Sequence, residues 1–594
     1  MKELLYLNKY FLKYKWHLLL GIIFVIASAL FNVMPAQLVR KSFNLITEQL
    51  KEYYKLKGTD KEIYFLETFD YHILKYSLLI LGMALIKGIF LFFKRQTLIV
   101  MSRLIENDLK NEIYQHYQTL SFSFYKQNNT GDLMNRISED VSKVRMYIGP
   151  AIMYGLDLVA IFVIVITCML TVSVKLTVCV LAPLPILSLM IYLVSSTMEK
   201  RSTLIQKSLS ALSTFTQEAF SGIRVIKAYV RENDSHQKMI FESENYREQT
   251  LSLTRVQAFF QPLMLGMIGL SVILVVFVGG NEVIEGRLDV GVIAEFIMYV
   301  YLLTWPVTSL GWTTSLVQRA AASQKRINEF LRINSSLPNK PQIETEQING
   351  EITFQNVSLT YSDSGINALK NVSFNIPAGS SLGVLGTTGS GKSTLANLIT
   401  RMYDTSEGKI LFDGKLIKDF DIRVIRKNIG YVPQDGFLFS DTIRNNIAFG
   451  RDEISESELV RVATLADLHQ NVLNFPDGYD TILGERGITL SGGQKQRVSI
   501  ARAIAVEPTV LLLDDCLSAV DTKTENTILN NLKQVMINRT SVIISHRVSS
   551  VKLCENIIVL HEGEIVEQGS HEQLMQKQGE YFNLYQKQSE GSIE

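Results

Sequence analysis

The first half of the chain is dominated by long apolar stretches that carry almost no charge. A helix of about 20 apolar residues is long enough to cross the hydrocarbon core of a bilayer. The stretches are too long and too numerous for the buried helices of a soluble protein. The pattern therefore predicts six transmembrane helices within a domain of residues 1–332, at about 16–39, 76–94, 146–170, 175–198, 256–281 and 290–313.

The connections between these stretches differ in length and charge. Residues 94–145 and 199–255 are long and keep a helical pattern, with a break near residues 128–131. Together with residues 1–15 they contain 21 Lys and Arg, whereas the other three connections contain nine. Positive charge favours the cytosolic side of a membrane, so we expect the N-terminus and both long connections in the cytosol. The lysine-rich segment 40–75 weakens this bias.

The pattern changes after residue 332. Residues 333–349 include a stretch rich in Asn, Ser and Pro, which predicts a linker. From residue 350 onward, short apolar and alternating runs such as 352–359 and 372–376 are mixed with helical segments. We therefore expect an α/β domain over residues 350–594, so that the predicted fold class is a six-span α-helical membrane domain followed by an α/β domain.

One loop of the α/β domain fits the phosphate-binding pattern G-x-x-x-x-G-K-[ST]. An apolar run precedes it and an apolar helical stretch follows it, which is the strand–loop–helix context that this motif requires. We expect the amine of Lys392 to reach the β- and γ-phosphates of ATP, and the Ser393 hydroxyl to hold Mg²⁺. The predicted loop consists of Gly386, Thr387, Thr388, Gly389, Ser390, Gly391, Lys392, Ser393 and Thr394.

Two further motifs follow. Residues 510–514 form a continuous apolar run that ends in Asp514, as in a buried strand, and in P-loop ATPases such an aspartate holds Mg²⁺. Ahead of a helical stretch, the chain carries a Leu-Ser-Gly-Gly-Gln segment. Its hydroxyl and backbone N–H groups can form a second anion-binding helix start. That predicted start consists of Ser491, Gly492, Gly493 and Gln494.

These motifs, in this order and on one chain with six apolar spans, resemble those of ABC transporters of the exporter type. The resemblance is to bacterial half-transporters of the multidrug and lipid A flippase group, in which a membrane domain is fused to a nucleotide-binding domain. It implies that the long inner connections end in short coupling helices. Amphipathic surface helices without a partner are the alternative interpretation of those connections.

The resemblance assigns roles to residues outside the two phosphate motifs. Tyr361 is implied to stack on adenine, although it can also be an ordinary strand aromatic. Gln434 is implied to contact Mg²⁺ and water, and Asp521 to lie in a loop that crosses a dimer interface. His546 is implied to hydrogen-bond the γ-phosphate, although a lone histidine after a strand is usually structural. Residues 485–487 resemble a segment that touches the coupling helices.

At one position the sequence departs from the family pattern. Asp515 stands where ABC ATPases usually have a glutamate that polarises the attacking water. Aspartate keeps the charge but is one methylene shorter, so we expect slower hydrolysis. Asp515 with an intact Ser491 segment also resembles one subunit of heterodimeric exporters, in which one of two sites is weak. Because the other motifs are intact, we favour a homodimer and keep the heterodimer as the alternative.

The predicted function is ATP-driven export or flipping of an amphipathic drug-like molecule or lipid across the cytoplasmic (inner) membrane. The resemblance implies a pair of half-transporters with two shared ATP sites, and membrane lipid as a further partner. A nucleotide-gated channel or regulator is the alternative from another class, and a fused importer stays open. A net charge of +1 gives no reason to expect nucleic-acid binding, and the four cysteines form no metal-ligand pattern.

Three charges interrupt the apolar stretches and need a partner or water there. Lys87 and Asp157 lie at similar depths from the predicted cytosolic side, so we expect that they can form one buried pair. A role for Lys87 in attracting an anionic head group is the functional alternative. Glu295 lies a few residues from the outer end of its span, and we expect it to be wetted there.

Overall fold

The protein is described from a computed structural model, which covers residues 2–59, 62–337, 342–343, 347–484, 487 and 490–590. Contacts divide the chain into two compact units. The first consists of residues 1–118 and 131–333, and the second of residues 119–130 and 334–594. The short segment 119–130 therefore belongs to the second unit although it lies between two helices of the first.

The first unit is entirely helical in its described part. Six of its helical stretches, within the described residues, are long and apolar enough to cross a membrane, which confirms the predicted number of spans. They run well beyond the predicted hydrocarbon lengths, because helical periodicity continues into the polar connections. The bounds are Lys2–Leu7 (3₁₀), Asn8–Lys13, Lys15–Leu56, Glu62–Thr119, Thr130–Asn135, Arg136–Asp140 (π), Val141–Met146, Tyr147–Ala151 (π), Ile152–Val172, Val174–Leu181, Pro183–Ser221, Ile223–Ala228, Glu232–Ile284 and Val290–Leu331.

The third long helical stretch, from residue 130 to residue 172, contains two π-helical turns. The second of them, Tyr147–Ala151, holds Pro150. Proline lacks the N–H that an α-helix needs in its interior, and a wider turn relieves the clash of its ring with the preceding carbonyl. The stretch stays continuous through this turn and ends at Val172. The next helix, Val174–Leu181, is capped by the Ser173 hydroxyl, which accepts a hydrogen bond from the Leu176 N–H.

The charges inside the apolar stretches have different partners from those that the sequence predicted. Asp157 pairs with Lys94, whose Nζ lies 2.7 Å from Asp157 Oδ2. The expected pair of Lys87 and Asp157 is therefore wrong. Lys94 lies seven residues, about two helical turns, after Lys87 on the same helix, so both lysines share one side of it and packing selects the one that meets the carboxylate.

Glu295 is fully buried, so the expectation that it is wetted is also wrong. Arg40 Nη1 lies 2.9 Å from Glu295 Oε2, and the Tyr299 hydroxyl donates to Glu295 Oε1 at 2.7 Å. A carboxylate that is buried needs such a combination of an opposite charge and hydrogen-bond donors. The pair joins the first long helix to the last one in the membrane unit.

The second unit contains two sheets. One has four strands in the order β2-β1-β4-β5, all antiparallel, and the other has six in the order β10-β9-β3-β8-β7-β6. The strands are β1 Ile352–Thr360, β2 Asn367–Ile376, β3 Ser381–Gly386, β4 Glu407–Phe412, β5 Lys415–Leu416, β6 Ile429–Val432, β7 Val510–Asp514, β8 Thr540–Ser545, β9 Asn556–His561 and β10 Glu564–Gly569.

The six-stranded sheet positions the candidate site. Strands β3, β7 and β8 are buried along their whole length, as central parallel strands with both faces covered should be. In the parallel pairing, Asp514 of β7 lies opposite Ile544 of β8, and Leu385 of β3 lies opposite Ser545. The carboxyl ends of the three strands therefore meet at one edge, where open α/β sheets bind their ligands.

Helices cover both faces of this sheet and complete the predicted α/β domain. The expected order of a six-span helical domain followed by an α/β ATPase domain is thus confirmed. The helices of the second unit are Phe122–Gln127, Lys392–Ile399, Ile417–Asp419 (3₁₀), Ile422–Lys427, Ile443–Ala448, Glu456–Leu465, His469–Leu473, Gly478–Asp480 (3₁₀), Gly492–Ala505, Thr522–Met536, Val548–Val551, His571–Lys577 and Glu580–Glu590.

Candidate functional site

The phosphate-loop motif lies between β3 and the helix Lys392–Ile399, as its sequence context predicts. Gly391 has φ +100°, a conformation that favours glycine, and a Cβ there would lie 2.5 Å from the carbonyl oxygen of Ala368. A Cβ on Gly386 would lie 2.4 Å from the carbonyl oxygen of Leu560. The loop therefore needs glycine at both positions for steric reasons that arise from its neighbours.

The lysine at the start of the helix turns back over the loop. Lys392 Nζ donates hydrogen bonds of 2.8 Å to the carbonyl oxygens of Gly386 and Thr387. Burial lowers the pKa of the Lys392 amine from its usual value, and the nearby carboxylates of Asp514 and Asp515 oppose that shift. The amine is thus held at the mouth of the loop, where a phosphate would lie.

The hydroxyl and the carboxylate expected to hold a metal lie next to each other. Ser393 Oγ donates to Asp514 Oδ1 at 3.3 Å. Asp514 ends β7 and is almost fully buried, and this burial raises the pKa of its carboxyl to about 6. Oxygen donors of this kind suit a hard cation such as Mg²⁺, and a bound cation would restore the ionised form of the carboxyl.

The next residue along the chain is paired with the candidate histidine. His546 Nδ1 and Asp515 Oδ1 are 2.8 Å apart. Asp515 has φ +47°, a left-handed conformation that aspartate tolerates better than most residues with a side chain. Its N–H donates to the carbonyl of Ile544, which fixes this turn against β8. The carboxylate is therefore aimed at the loop that carries His546.

Tyr361 lines the same cavity as this pair of side chains. Its hydroxyl is 3.0 Å from Thr394 Oγ1, and its ring meets that of Tyr403 edge-on, with 5.1 Å between the ring centroids. Lys126, from the segment 119–130 of the same unit, places Nζ 4.6 Å from the Tyr361 ring centroid and 3.5 Å from an Asp363 oxygen. A cation over the face of an aromatic ring is a favourable contact.

These groups surround one cavity of about 620 Å³. Of the residues predicted for the nucleotide site, the described lining of this cavity includes Tyr361, Thr388, Gly389, Gly391, Lys392, Ser393, Thr394, Gln434, Asp514, Asp515 and His546. Gly386, Thr387 and Ser390 form the base of the same loop. The structure thus brings the predicted phosphate loop, metal-binding side chains and candidate catalytic residues into one place.

The Leu-Ser-Gly-Gly-Gln segment lies apart from that cavity lining, as far as the described residues show. Ser491 caps the helix Gly492–Ala505, and Gln494 completes a capping box: each side chain accepts from a backbone N–H of the other. The start of this helix is therefore well ordered.

A set of hydrogen bonds connects this helix to the turn after β7. Gln496 Nε2 donates to Ser518 Oγ at 3.2 Å, and the Ala519 N–H donates to Gln496 Oε1 at 3.1 Å. Asp521 then caps the helix Thr522–Met536 by accepting from the Thr524 N–H at 3.0 Å, which lowers the pKa of its carboxyl. Asp521 does not belong to the described lining of the cavity either.

Several residues of this region were not predicted from the sequence. Lys126 lies on the cavity wall and Gln496 braces the turn at Ser518, but neither stands in a motif. Lys126 is far from Tyr361 along the chain, so no local spacing could have paired them. Residues 485 and 486 of the segment 485–487, and residues 338–341 and 344–346 of the predicted linker, lie outside the described residues.

A parallel sheet with a phosphate loop, a buried aspartate and this cavity at its carboxyl edge defines a P-loop nucleotide-binding domain. The family profile described as the ABC transporter transmembrane region matches residues 18–307, and the profile described as ABC transporter matches residues 369–518. The chain belongs to the ABC transporter family.

Curated relatives resemble the chain over most of its length. It is 39% identical over 474 residues to the uncharacterized ABC transporter ATP-binding protein YknU of Bacillus subtilis, covering 79% of this chain and 80% of that protein. It is 37% identical over 471 residues to the multidrug resistance-like ATP-binding protein MdlA of Escherichia coli, with coverage of 79% and 80%. It is 33% identical over 499 residues to the ATP-dependent lipid A-core flippase of Syntrophus aciditrophicus, with coverage of 84% and 83%.

The resemblance noted from the sequence is therefore confirmed. The protein is a half-transporter of the ABC exporter type, with a multi-span membrane domain and an ATPase domain on one chain. It binds ATP and couples ATP hydrolysis to transport across a membrane.

Proposed function

We propose that the protein exports or flips an amphipathic drug-like molecule or lipid, as one of two half-transporters that share two ATP sites. One observation carries this proposal. The phosphate loop and the pair Asp515–His546 line one cavity, whereas the ordered helix start at Ser491 lies outside it. An anion-binding helix start that lies outside the nucleotide cavity of its own chain is accounted for if it closes over the nucleotide of a second chain.

In the proposed site, each wall of the cavity contacts a different part of ATP. The backbone N–H groups of residues 386–394 surround the phosphates, and Lys392 leaves the loop carbonyls to reach the β- and γ-phosphates. Tyr361 stacks on adenine. Ser491 and the two glycines after it, from the partner, contact the γ-phosphate from the other side.

The hydrolytic step is assigned to the edge formed by β7 and β8. Ser393, Gln434 and Asp514 are the oxygen donors for Mg²⁺, which neutralises charge on the phosphates when it is bound. Asp515 accepts a hydrogen bond from the attacking water and orients it, while His546 stabilises the γ-phosphate and holds the Asp515 carboxylate at 2.8 Å. The loop at Asp521 lies at the interface of the two chains.

The proposed cargo class is supported by the relatives and by the apolar character of the membrane unit. The printed names of two relatives refer to multidrug resistance and to lipid A-core flipping. Of the three charges in the apolar stretches, Asp157 and Glu295 are engaged in ion pairs, so that besides Lys87 the helices offer mainly apolar side chains to a cargo. Such a surface favours amphipathic molecules over small ions.

For the pairing we propose a homodimer, because the phosphate loop, Ser491 and His546 are all present in this chain. The second candidate is a heterodimer in which this chain contributes the weaker hydrolytic site. Asp515 favours that candidate, since its carboxylate reaches less far than that of glutamate. We place the protein in the cytoplasmic membrane with the ATPase domain in the cytosol, in agreement with the distribution of Lys and Arg.

The test is ATP-dependent movement of two probes in proteoliposomes that contain the purified chain. A fluorescent phospholipid reports flipping between leaflets, and an amphipathic cationic dye reports accumulation in inside-out vesicles. We expect ATP to drive at least one of these movements, and Lys392→Ala to stop it. An ATP-dependent ion current without movement of either probe would instead identify a nucleotide-gated channel.

A further inference from the structure

The C-terminal helix Glu580–Glu590 is fixed firmly to the ATPase unit. The carboxylate of Glu567 accepts hydrogen bonds from the N–H groups of Glu580 and Tyr581, at 2.8 and 2.9 Å, and so caps the start of the helix. The Tyr581 side chain is fully buried, and its hydroxyl is 2.7 Å from His571 Nδ1. These contacts set both the position and the direction of the helix.

The last turn of this helix reaches the loop that carries the candidate histidine. Gln588 Nε2 donates to the carbonyl oxygen of His546 at 2.7 Å, and the Val548 N–H donates to Gln588 Oε1 at 2.8 Å. One amide side chain thus satisfies the two backbone groups on either side of Arg547. An amide is the side chain that can donate and accept in this way at one place.

The other side of the same loop is held by a buried carboxylate. Glu525 is almost fully buried, and it pairs with Arg547 and accepts from the hydroxyls of Ser549 and Ser550. Glu525 belongs to the helix that Asp521 caps. The loop after β8 is therefore held between that helix and the helix Glu580–Glu590. From this loop, the His546 side chain extends to Asp515.

We propose that Gln588 is a positioning residue, which holds the backbone of His546 so that its imidazole reaches both Asp515 and the γ-phosphate. The inference rests on the proposed role of His546. Two hydrogen bonds to consecutive peptide groups restrict the rotation of the loop, and a side chain on a mobile loop binds its target less well because it must be ordered first. The C-terminal helix is thereby a part of the nucleotide site that no motif marks.

The experiment measures affinities for ATP and ADP by displacement of a fluorescent nucleotide analogue, in the full chain in lipid and without Mg²⁺, so that ATP is not hydrolysed and Asp515 is kept as the partner of His546. ADP lacks the γ-phosphate, so the ratio of the two affinities reports the contact made by His546. We expect Gln588→Ala to weaken ATP binding about threefold to tenfold and to leave ADP binding unchanged. Gln586→Ala, an exposed glutamine on the same helix, is the matched control and should change neither affinity.

The decisive comparison adds His546→Ala. If Gln588 acts through His546, Gln588→Ala should have no further effect on the ATP/ADP ratio once the imidazole is gone. Equal losses for ATP and ADP, full additivity with His546→Ala, or no difference from Gln586→Ala would overturn the proposal. Because nucleotide binding is measured without turnover, the outcome does not depend on whether the chain transports a cargo. Gln588→Glu keeps the acceptor for the Val548 N–H but loses the donor to the His546 carbonyl. Its ratio of ATP to ADP affinity should lie between those of wild type and Gln588→Ala.

Discussion

The two units use their buried polar groups in opposite ways. In the ATPase unit, Lys392, Asp514 and Asp515 are held by neighbours but keep one side open to a shared cavity. In the membrane unit, Asp157 and Glu295 are each paired with a cation from another helix. The first arrangement leaves chemistry available to a ligand, whereas the second uses charge to hold helices together.

The largest effect should follow from removing the amine of the phosphate loop. Lys392→Ala should lower the rate of ATP hydrolysis about 10²–10³-fold, since a preorganised positive charge next to the transferred phosphate is lost. The rate is measured by phosphate release from the chain in lipid. Lys415→Ala, on the short strand β5, is the control and should hydrolyse ATP as wild type does. Equal rates of ATP hydrolysis in the two variants would contradict the role of the Lys392 amine in contacting the phosphates.

In the membrane unit, removing a buried charge should lower the stability of the protein, whereas in the ATPase unit it lowers the rate of hydrolysis. Glu295→Ala leaves Arg40 without its partner, and breaking a buried ion pair typically costs about 3–5 kcal/mol. We expect the thermal unfolding midpoint in detergent to fall clearly, and to recover when Arg40→Met is combined with Glu295→Leu. Glu285→Ala, which removes an exposed carboxylate of the same unit, should have little effect. A stable Glu295→Ala protein with altered transport would place this pair in the cargo pathway.

The contrast between the two units also shows which features of the fold and of the candidate site could be predicted from the sequence. Residues 386–394 and Asp514 were predicted because short-range motifs reflect the demands of phosphate chemistry on consecutive residues. The six spans were predicted because lipid imposes a length and an apolar composition on them. The partner of Asp157 was predicted wrongly, since Lys87 and Lys94 lie seven residues apart on one side of the same helix and only packing selects between them. Lys126 and Gln588 were not predicted, because tertiary contacts alone bring them to the site.

A smaller effect concerns pH. Burial raises the pKa of the Asp514 carboxyl to about 6, so the ionised form that binds Mg²⁺ is present above that pH and is lost below it. At limiting Mg²⁺, ATP hydrolysis should therefore decline about tenfold for each pH unit below about 6. Saturating Mg²⁺ should move the decline to lower pH, because the cation competes with the proton. A profile that does not respond to the Mg²⁺ concentration would exclude Asp514 as the titrating ligand.

The smallest effect is expected at the ring of Tyr361. Lys126 lies over the ring of Tyr361, and an exposed cation–π contact is worth about 0.5–1 kcal/mol. Lys126→Ala frees that face for adenine, so ATP should bind about two- to fivefold more tightly in an equilibrium titration. Lys143→Ala, in the same connection 94–145 but outside the described cavity lining, should leave the affinity unchanged. Weaker binding in Lys126→Ala would mean that the amine contacts ATP itself.

The central claim is that two copies of this chain hydrolyse ATP with Asp515 as the residue that orients water. It is tested most directly by steady-state ATP hydrolysis of the chain purified alone in lipid, with Asp515→Ala and Asp515→Glu measured beside it. The account predicts steady turnover in wild type, a loss of about 10²-fold or more in Asp515→Ala, and retained or faster turnover in Asp515→Glu. Background turnover in wild type, restored only when a different half-transporter is added, would contradict it and identify the weak-site half of a heterodimer.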